Sequence, residues 1–476
     1  MTFQDLIPVI YLITAVTFIL GLKGLSGPTT AVGGNRIAAA GMIVAVAATF
    51  ATKEYGSYGS GGLALTIGGM AVGAVMGVAG GRLVKMTAMP QMVAIFNGCG
   101  GGAAALVSIL EYTHEAQSGA PLAWGAVLSS VLGLMIGGVS FSGSAIAYAK
   151  LQGVISARAY RYPGQRVITG VVFVAMILLA AWLVLGAAGL VAHARLLVLV
   201  ALAVAALLAG LALVLPIGGA DMPVVISLLN AFTGLAVAMA GFVLSNQLLI
   251  VAGTLVGASG TILTRLMSKA MNRSIANVLF AGFGAGAGAA VGACEGDTRT
   301  QRAISAEDAA ILLGYAQSVI IVPGYGLAVA QAQHAVRELA DMLEAKGASV
   351  RYAIHPVAGR MPGHMNVLLA EANVPYEKLY DMDQINEDFK NTDVALVIGA
   401  NDVTNPAARA DKSSPIYGMP ILNVDQARNV IVIKRSMRSG FAGIENELYL
   451  DPKTGMLFGD AKKAVEQVIA ELKKAG

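Results

Sequence analysis

The sequence predicts a polytopic α-helical membrane bundle followed by an α/β domain with a doubly wound parallel sheet. The composition is the first indication, because 56% of the 476 residues are hydrophobic and 13% are charged, whereas soluble proteins carry roughly a quarter charged residues. Charge reaches ordinary soluble density only from Glu295 onward. Strand and helix patterns then alternate after Glu307, as in parallel α/β sheets. We therefore expect a membrane domain at 1–270, a linker at 271–300 and a soluble domain at 301–476.

About nine apolar runs are long enough to cross a membrane, which takes roughly 20 residues per helix. They lie near Leu6–Leu22, Ile37–Ala51, Leu63–Gly80, Met92–Leu110, Ala123–Ala149, Val167–Gly189, Leu196–Pro216, Met222–Leu244 and Gln247–Leu266. The segment Met1–Leu22, which includes the first run, contains Asp5 and lacks the basic start and cleavage site of a signal peptide, so we expect a retained span.

Lys and Arg between the spans predict the orientation, since loops on the cytoplasmic side are enriched in both. Alternate loops on one side hold Lys23, Arg36, Arg82, Lys85, Lys150, Arg158, Arg161, Arg166, Arg265, Lys269 and Arg273. The loops on the other side hold Lys53 and Arg195. We therefore expect the N-terminus outside and the C-terminal domain in the cytoplasm. These basic flanks also account for the net charge of +4 without a nucleic-acid partner.

The cysteines and glycines of the sequence indicate which further features to expect. Cys99 and Cys294 offer neither a disulfide framework nor metal-ligand spacing, so we expect no metal site. Small residues recurring within a span are typical of closely packed helices. Such glycines lie at Gly68, Gly69, Gly73, Gly77, Gly98, Gly100, Gly101 and Gly102.

Polar side chains inside or at the rim of the spans are candidates for a functional path, because they are costly in hydrocarbon. They are Asn97, Asp221, Asn230 and Ser259. For both asparagines, a hydrogen bond to a neighbouring helix is an alternative. The five histidines are all predicted outside the spans: His114, His193, His334, His355 and His364. Either the chain moves no protons, or a partner chain supplies the titrating group.

In the C-terminal domain, strand Ser318–Val322 runs into the turn Pro323-Gly324-Tyr325-Gly326, and a long amphipathic helix is predicted from there to about Lys346. A glycine turn between strand and helix is typical of the Rossmann-type dinucleotide fold, although Val329 stands where Gly or Ala is usual. Further strands are predicted at Ser349–Ile354, Val394–Ile398, Ile421–Val424 and Val430–Ile433.

The ends of two strands favour NADP over NAD. One strand is followed by His355 rather than by the Asp or Glu that NAD enzymes place against the ribose hydroxyls. The last strand leads into Lys434-Arg435-Ser436, which can hold a 2′-phosphate. A solvated strand end is the alternative for this pair of cations.

Four long motifs resemble the beta subunit of bacterial proton-translocating NAD(P) transhydrogenase over essentially the whole chain. They are Gly-Ala-Asp-Met-Pro-Val-Val at 219–225, Lys-Ala-Met-Asn-Arg-Ser at 269–274, Pro-Gly-Tyr-Gly-Leu-Ala-Val-Ala-Gln-Ala-Gln at 323–333, and the segment from His355 to Ala372. The resemblance implies hydride transfer between NAD(H) on a partner subunit and NADP(H) on this chain, coupled to proton translocation across the bacterial inner membrane. The implied enzyme is of the Si-specific/Re-specific type.

The resemblance also implies partners and site residues. The partners are alpha subunits, including an NAD(H)-binding subunit and a short membrane subunit, in a dimer of complexes. The implied NADP(H) positions are Gly324, Tyr325, Gly326, Val329, Ala330, Val357, Ala358, Gly359, Arg360, Met361, Pro362, Gly399, Ala400, Asn401, Asp402, Val403, Gly418, Met419, Lys434, Arg435, Ser436, Met437, Gly440, Phe441, Asp460 and Ala461. Gly440 and Phe441 resemble part of a flap over the nucleotide, with Phe441 replacing the Tyr of some relatives. Because NADP lies reversed in this family, the Gly324 turn need not hold the pyrophosphate.

Some relatives have a proton-carrying histidine at the position of Asn97. We therefore expect the short membrane subunit to carry this histidine, with Asp221, Asn230 and Ser259 helping to line the path. One alternative is an ion channel or transporter regulated by an NADP(H)-sensing Rossmann domain, which would need mid-membrane carboxylates or broken helices. Another is a membrane dehydrogenase that acts alone, which would need a second nucleotide site. The sequence contains neither feature.

Overall fold

The structure, a computed structural model, describes residues 3–27, 29–51, 60–117, 123–156, 160, 163–185, 192–271, 275, 301–360, 363–412, 414, 416–437, 440 and 444–474. Nearly all of the predicted linker lies outside these residues, and so do Met361, Pro362 and Phe441 of the predicted site. The chain forms two compact units, one from the membrane helices and one from the C-terminal α/β domain.

Nine helices in the described residues have the length and hydropathy to span a membrane. They are α1 Phe3–Leu25, α2 Ala31–Phe50, α3 Ser60–Leu83, α4 Met89–Gln117, α5 Trp124–Gln152, α6 Gln165–Leu185, α7 Ala192–Val214, α8 Met222–Val243 and α9 Gln247–Ala270. Each overlaps a predicted span, so the multi-pass prediction is confirmed. Several residues predicted in loops lie instead in terminal turns of helices, among them Lys23 in α1, Arg82 in α3, His114 in α4, Lys150 in α5 and His193 in α7.

Glycine brings α4 and α5 together along their length. A Cβ on Gly101 would lie 3.1 Å from the carbonyl oxygen of Gly137, and one on Gly137 would lie 2.6 Å from that of Gly101. The close packing predicted at Gly98–Gly102 is therefore confirmed. The same prediction is wrong for the glycines of α3 within the described chain, because nothing lies within 4 Å of a Cβ placed on Gly68, Gly69, Gly73 or Gly77.

The C-terminal unit contains a fully parallel seven-stranded sheet. Its strands are β1 Arg302–Ala303, β2 Ser318–Pro323, β3 Ser349–Ile354, β4 Leu379–Asp381, β5 Val394–Ile398, β6 Asn429–Lys434 and β7 Thr454–Phe458. The spatial order is β1-β7-β6-β5-β2-β3-β4. Without β1 this is the doubly wound Rossmann order, in which the direction of winding reverses between β2 and β5.

Helices cover both faces of the sheet, so the central strands β2, β5 and β6 are mostly apolar and buried, as expected for buried parallel strands. The helices are α10 Ala306–Gly314, α11 Tyr325–Ala330, α12 Gln333–Ala345, α13 His364–Glu371, α14 Met382–Ile385, α15 Ala407–Ala410 and α16 Ala461–Lys474. In β2, Val319 and Ile321 join the core on one face, and Ile320 and Val322 join the core on the other.

Two predicted elements differ from the structure. The predicted strand Ile421–Val424 is a loop, because its backbone pairs outside the sheet: Leu422 N–H donates to Val403, and the Ile421 carbonyl accepts from the Asn386 side chain. The predicted long helix is broken into α11 and α12 at Gln331, whose φ of 50° is left-handed. The short strands β1, β4 and β7 were not predicted.

Candidate functional site

A cavity of about 660 Å³ lies at the carboxyl ends of the central strands, where the winding reverses. Open α/β sheets bind their ligands at this point, because the loops diverge there and leave a crevice. The lining residues are Gly324, Tyr325, Gly326, Val357, Ala358, Gly359, Gly399, Ala400, Asn401, Asp402, Val403, Lys434, Arg435, Ser436, Gly440, Gly459 and Ala461. The structure thus gathers sixteen of the predicted site residues in one cavity, together with Gly459, which was not predicted.

Glycine is required where the loops after β2 and β5 cross. A Cβ on Gly324 would lie 2.4 Å from the Ala400 nitrogen, and one on Gly326 would lie 2.7 Å from Gly399 Cα. The N–H of Gly324 donates to Ile398 at 2.9 Å, and the N–H of Gly326 donates to Gly399 at 3.0 Å. These two N–H groups therefore bind carbonyls of the protein and are not available to a ligand. The two glycines allow the two loops to pack closely at the floor of the cavity.

Lys434 places a cation at the edge of the cavity. Its Nζ lies 4.6 Å from the centre of the Tyr449 ring, and it is buried with no hydrogen-bond partner among the described residues. Burial lowers the pKa of Lys434, and the nearby Asp402 carboxylate partly opposes that shift. A buried ammonium without an acceptor is costly. An anionic ligand would satisfy it, and the adjacent Arg435 and Ser436 offer further donors to the same ligand.

Two arginines act on Tyr325 from opposite segments of the site. The Arg360 guanidinium lies 4.5 Å from the centre of the Tyr325 ring, and its backbone N–H donates to His364 Nδ1 at 3.1 Å. Burial raises the pKa of Tyr325, against the influence of Arg360 and Arg435. Burial and then Arg360 lower the pKa of His364. Both guanidinium groups therefore act near Tyr325, which lines the cavity, and their charges favour an anion there.

The other described residues of the predicted site are not part of the cavity lining. Met419 packs in a small cluster with Ala408 and Ile416, and Gly418 adopts a φ of 78°. Asp460 accepts from the Lys462 N–H at the start of α16. Met437 and Ala330 pack against the two cores of the domain, and Val329 is exposed.

The sequence did not predict the residues that bind the backbone of the cavity loops on the side away from the cavity. His355 is buried between two backbone groups: its Nε2 lies 2.8 Å from the Pro420 carbonyl, and its Nδ1 accepts from the Val357 N–H at 3.2 Å. Asn446 Nδ2 donates to the Asn401 carbonyl at 3.0 Å. The strand ends were recognisable from local patterns, whereas these anchors come from distant segments.

In the membrane unit, Asn97 lies in a buried polar cluster of α4, α5 and α8. Its Nδ2 donates to Ser144 Oγ at 2.9 Å and to Ser140 Oγ at 3.3 Å. Ser140 Oγ lies 2.6 Å from Thr233 Oγ1 and also donates to the Leu229 carbonyl. Asn97 Oδ1 has no partner among the described residues. The predicted hydrogen bond to a neighbouring helix is present, and one acceptor remains for another group.

The other three predicted polar residues have different surroundings. Asp221 is buried at the start of α8, and Asn230 is half-buried in the third turn of that helix, next to Leu229. Ser259 is exposed on α9, and its hydroxyl donates to the carbonyl of Val256 in the same helix.

Lys150 was not predicted to have a role inside the bundle, yet it is almost completely buried. Its ammonium donates to the carbonyls of Leu215 at 2.5 Å, Ile217 at 2.7 Å and Val214 at 3.2 Å. Val214 is the last residue of α7 and the other two carbonyls follow shortly after it, so Lys150 lies at the C-terminal end of this helix, where a cation is favourable. Lys150 therefore joins α5 to the segment that leads to Asp221.

Together these features define a multi-pass membrane protein with a Rossmann-type domain whose cavity is basic. The model of the NAD(P) transhydrogenase beta subunit family matches residues 7–471. Two relatives from Rhodospirillum rubrum, both named NAD(P) transhydrogenase subunit beta, are each 51% identical over 464 residues, which is 96% of this chain and 97% of the relative. The chain belongs to the NAD(P) transhydrogenase beta subunit family. The alternative of a nucleotide-regulated channel or transporter has no support from these similarities.

Proposed function

We propose that this chain binds NADP(H) in the C-terminal cavity and exchanges hydride with NAD(H) held by an alpha subunit, coupled to proton movement through the membrane unit. The observation that carries the proposal is the buried ammonium of Lys434, which has no hydrogen-bond partner among the described residues and lies beside Arg435 and Ser436, at the point where a Rossmann sheet binds its ligand. The name of the family, NAD(P) transhydrogenase beta subunit, refers to the same nucleotides.

The choice of NADP(H) follows from charge. NAD-specific enzymes place a carboxylate at the end of the strand next to the glycine turn, where it binds the ribose hydroxyls. Here β3 is followed by His355, which is buried and uncharged at neutral pH, since burial lowers its pKa to about 4. The end of β3 therefore does not carry the carboxylate typical of NAD enzymes, and Lys434 and Arg435 at the end of β6 would attract a 2′-phosphate.

Bound NADP(H) supplies the nicotinamide that accepts or donates hydride. The residues of this chain have positioning tasks, because hydride transfer between two nicotinamides needs no acid or base. Gly324, Gly326 and Gly399 let the loops approach each other, and the segment Val357–Gly359 forms a wall of the cavity. We assign Met361, Pro362 and Phe441 to the same site from the family resemblance.

For the proton path we propose Asn97 as an orienting group for an imidazole or water supplied by a partner. Its Oδ1, which has no hydrogen-bond partner in the described part of the chain, supports this role. In the described spans, histidine occurs only in the last turn of α4 and the first turn of α7, so a short membrane alpha subunit would bring the titrating group. Asp221 and Asn230 would line the path from α8, and Ser259 would face the partner from exposed α9.

We further propose a bacterial inner-membrane location with the N-terminus outside and the C-terminal domain in the cytoplasm, from the distribution of Lys and Arg. The proposed divisions are 1–270 for the membrane domain, 271–300 for the linker and 301–476 for the NADP(H) domain. The complete enzyme would be a dimer of complexes.

The test is a titration of the detergent-solubilised full chain with NADPH and with NADH. Arg435→Ala should weaken NADPH by about 1.5–3 kcal/mol, the contribution of a charge-assisted hydrogen bond, and leave NADH nearly unchanged. Arg428→Ala is the matched control, because Arg428 is exposed and pairs with Asp393 away from the cavity. Equal losses for both nucleotides would refute the 2′-phosphate assignment.

A further inference from the structure

Tyr449 lies beneath the cavity and contacts two of the segments that form it. The residue is 1% exposed and sits in the turn Glu447–Leu450, before β7. Its ring faces the Lys434 ammonium, 4.6 Å from the ring centre. Its hydroxyl donates to Asn401 Oδ1 at 2.6 Å and lies 3.1 Å from the Ala400 carbonyl. One side chain thus contacts both the end of β6 and the loop after β5.

The turn that carries Tyr449 is itself fixed. Asn446 accepts from the Leu448 N–H at 3.0 Å, while its amide donates to the Asn401 carbonyl. Leu448 is fully buried in the core of the domain. The ring therefore cannot shift without disturbing the loop after β5.

The Lys434 ammonium has no hydrogen-bond partner among the described residues, although a carboxylate lies nearby. Asp402 is close enough to act on the pKa of Lys434, and an ion pair between them would remove the cation from any ligand. The aromatic face offers the ammonium a competing attraction that uses no acceptor oxygen. An ammonium held this way keeps its N–H donors for a ligand.

We propose that Tyr449 is a positioning residue for NADP(H) selectivity, whose ring holds the Lys434 ammonium toward the 2′-phosphate and whose hydroxyl fixes Asn401. This inference rests on the proposed function. The ring and the hydroxyl have separate tasks, so substitutions can separate them. Loss of the ring should affect the phosphate-bearing nucleotide alone, whereas loss of the hydroxyl should leave selectivity in place.

The experiment measures NADPH and NADH affinities of the full chain in detergent. Relative to Tyr449→Phe, which also lacks the hydroxyl, Tyr449→Leu should weaken NADPH about tenfold and NADH less than about twofold, since a partly desolvated cation–π contact has that worth. Tyr449→Phe should retain the ratio of the two affinities. In a Lys434→Ala background, Tyr449→Leu should cost no more NADPH affinity than Tyr449→Phe does, because the ring then has no cation to hold and coupled residues are not additive.

A graded series keeps the test independent of folding defects. Phenylalanine with increasing fluorination at position 449 retains the ring's shape and weakens its attraction for cations, so NADPH affinity should fall stepwise while NADH affinity stays constant. Equal losses for both nucleotides, additive losses in the double variant, or no trend with fluorination would overturn the role of Tyr449. If Lys434→Ala alone leaves NADPH affinity unchanged, the proposed phosphate site fails instead.

Discussion

The buried imidazole of His355 should make the stability of the C-terminal domain depend on pH. Its Nδ1 accepts from Val357, so Nε2 carries the proton and donates to the Pro420 carbonyl. This neutral tautomer satisfies both ring nitrogens. Protonation would place a charge in an apolar site and turn Nδ1 into a donor facing the Val357 N–H, and burial accordingly lowers the pKa from 6.5 to about 4.

The difference between the folded and unfolded pKa of His355 determines the direction and the size of the change in stability with pH. Between pH 6.5 and about 4 the unfolded chain binds a proton on this residue and the folded chain does not, so stability falls as the pH falls through that window. Lowering the pH from about 7 to about 5 should cost about 2 kcal/mol from His355 alone. Below about pH 4 both states are protonated and the loss stops growing.

Hydrogen–deuterium exchange of β2 and β5 amides in the full chain measures the free energy of opening at each pH, after correction for intrinsic exchange rates. His355→Gln cannot titrate and retains a donor for Pro420, so its opening free energy should depend less on pH. His364 is also buried with a lowered pKa, and the double variant with His364→Gln should lose most of the remaining dependence. A slope in His355→Gln equal to that of the wild type would refute the reasoning.

Two further predictions concern the membrane unit. Asn97→Leu should reduce proton-coupled turnover of the reconstituted complex at least about tenfold, because Ser144 loses its hydrogen-bond donor. The same substitution should leave NADPH affinity unchanged. Asn97→His combined with loss of the partner's histidine should restore coupling in part. Unchanged proton pumping in Asn97→Leu would show that Asn97 serves only helix packing. Lys150→Met should lower the unfolding stability in detergent by about 3 kcal/mol or more, since three carbonyls lose a charged donor. Lys269→Met, at an exposed position in the last turn of α9, is the matched control, and equal unfolding temperatures for the two variants would contradict the role given to Lys150.

The sequence alone determined the features that depend on neighbours along the chain. Apolar runs of membrane length predicted all nine spans in the described residues, because the bilayer sets a length that each helix must meet by itself. The strand–glycine–helix pattern at 318–330 predicted the β2 turn, the end of β6 predicted Lys434-Arg435-Ser436, and the family resemblance predicted the rest of the cavity lining except Gly459. Gln331 escaped prediction, since a single left-handed residue breaks a helix without changing its periodicity.

Only the tertiary structure decided which distant residues meet. Thr233 contacts Asn97 across 136 positions of sequence, Lys150 reaches the end of α7, and Tyr449 comes to lie under Lys434 because β6 and β7 are neighbours in the sheet. The order of the strands is set by which apolar faces fit together, and no local pattern records it. The physical reason is that periodicity reports which face of an element is buried, whereas the identity of the partner depends on packing of the whole domain.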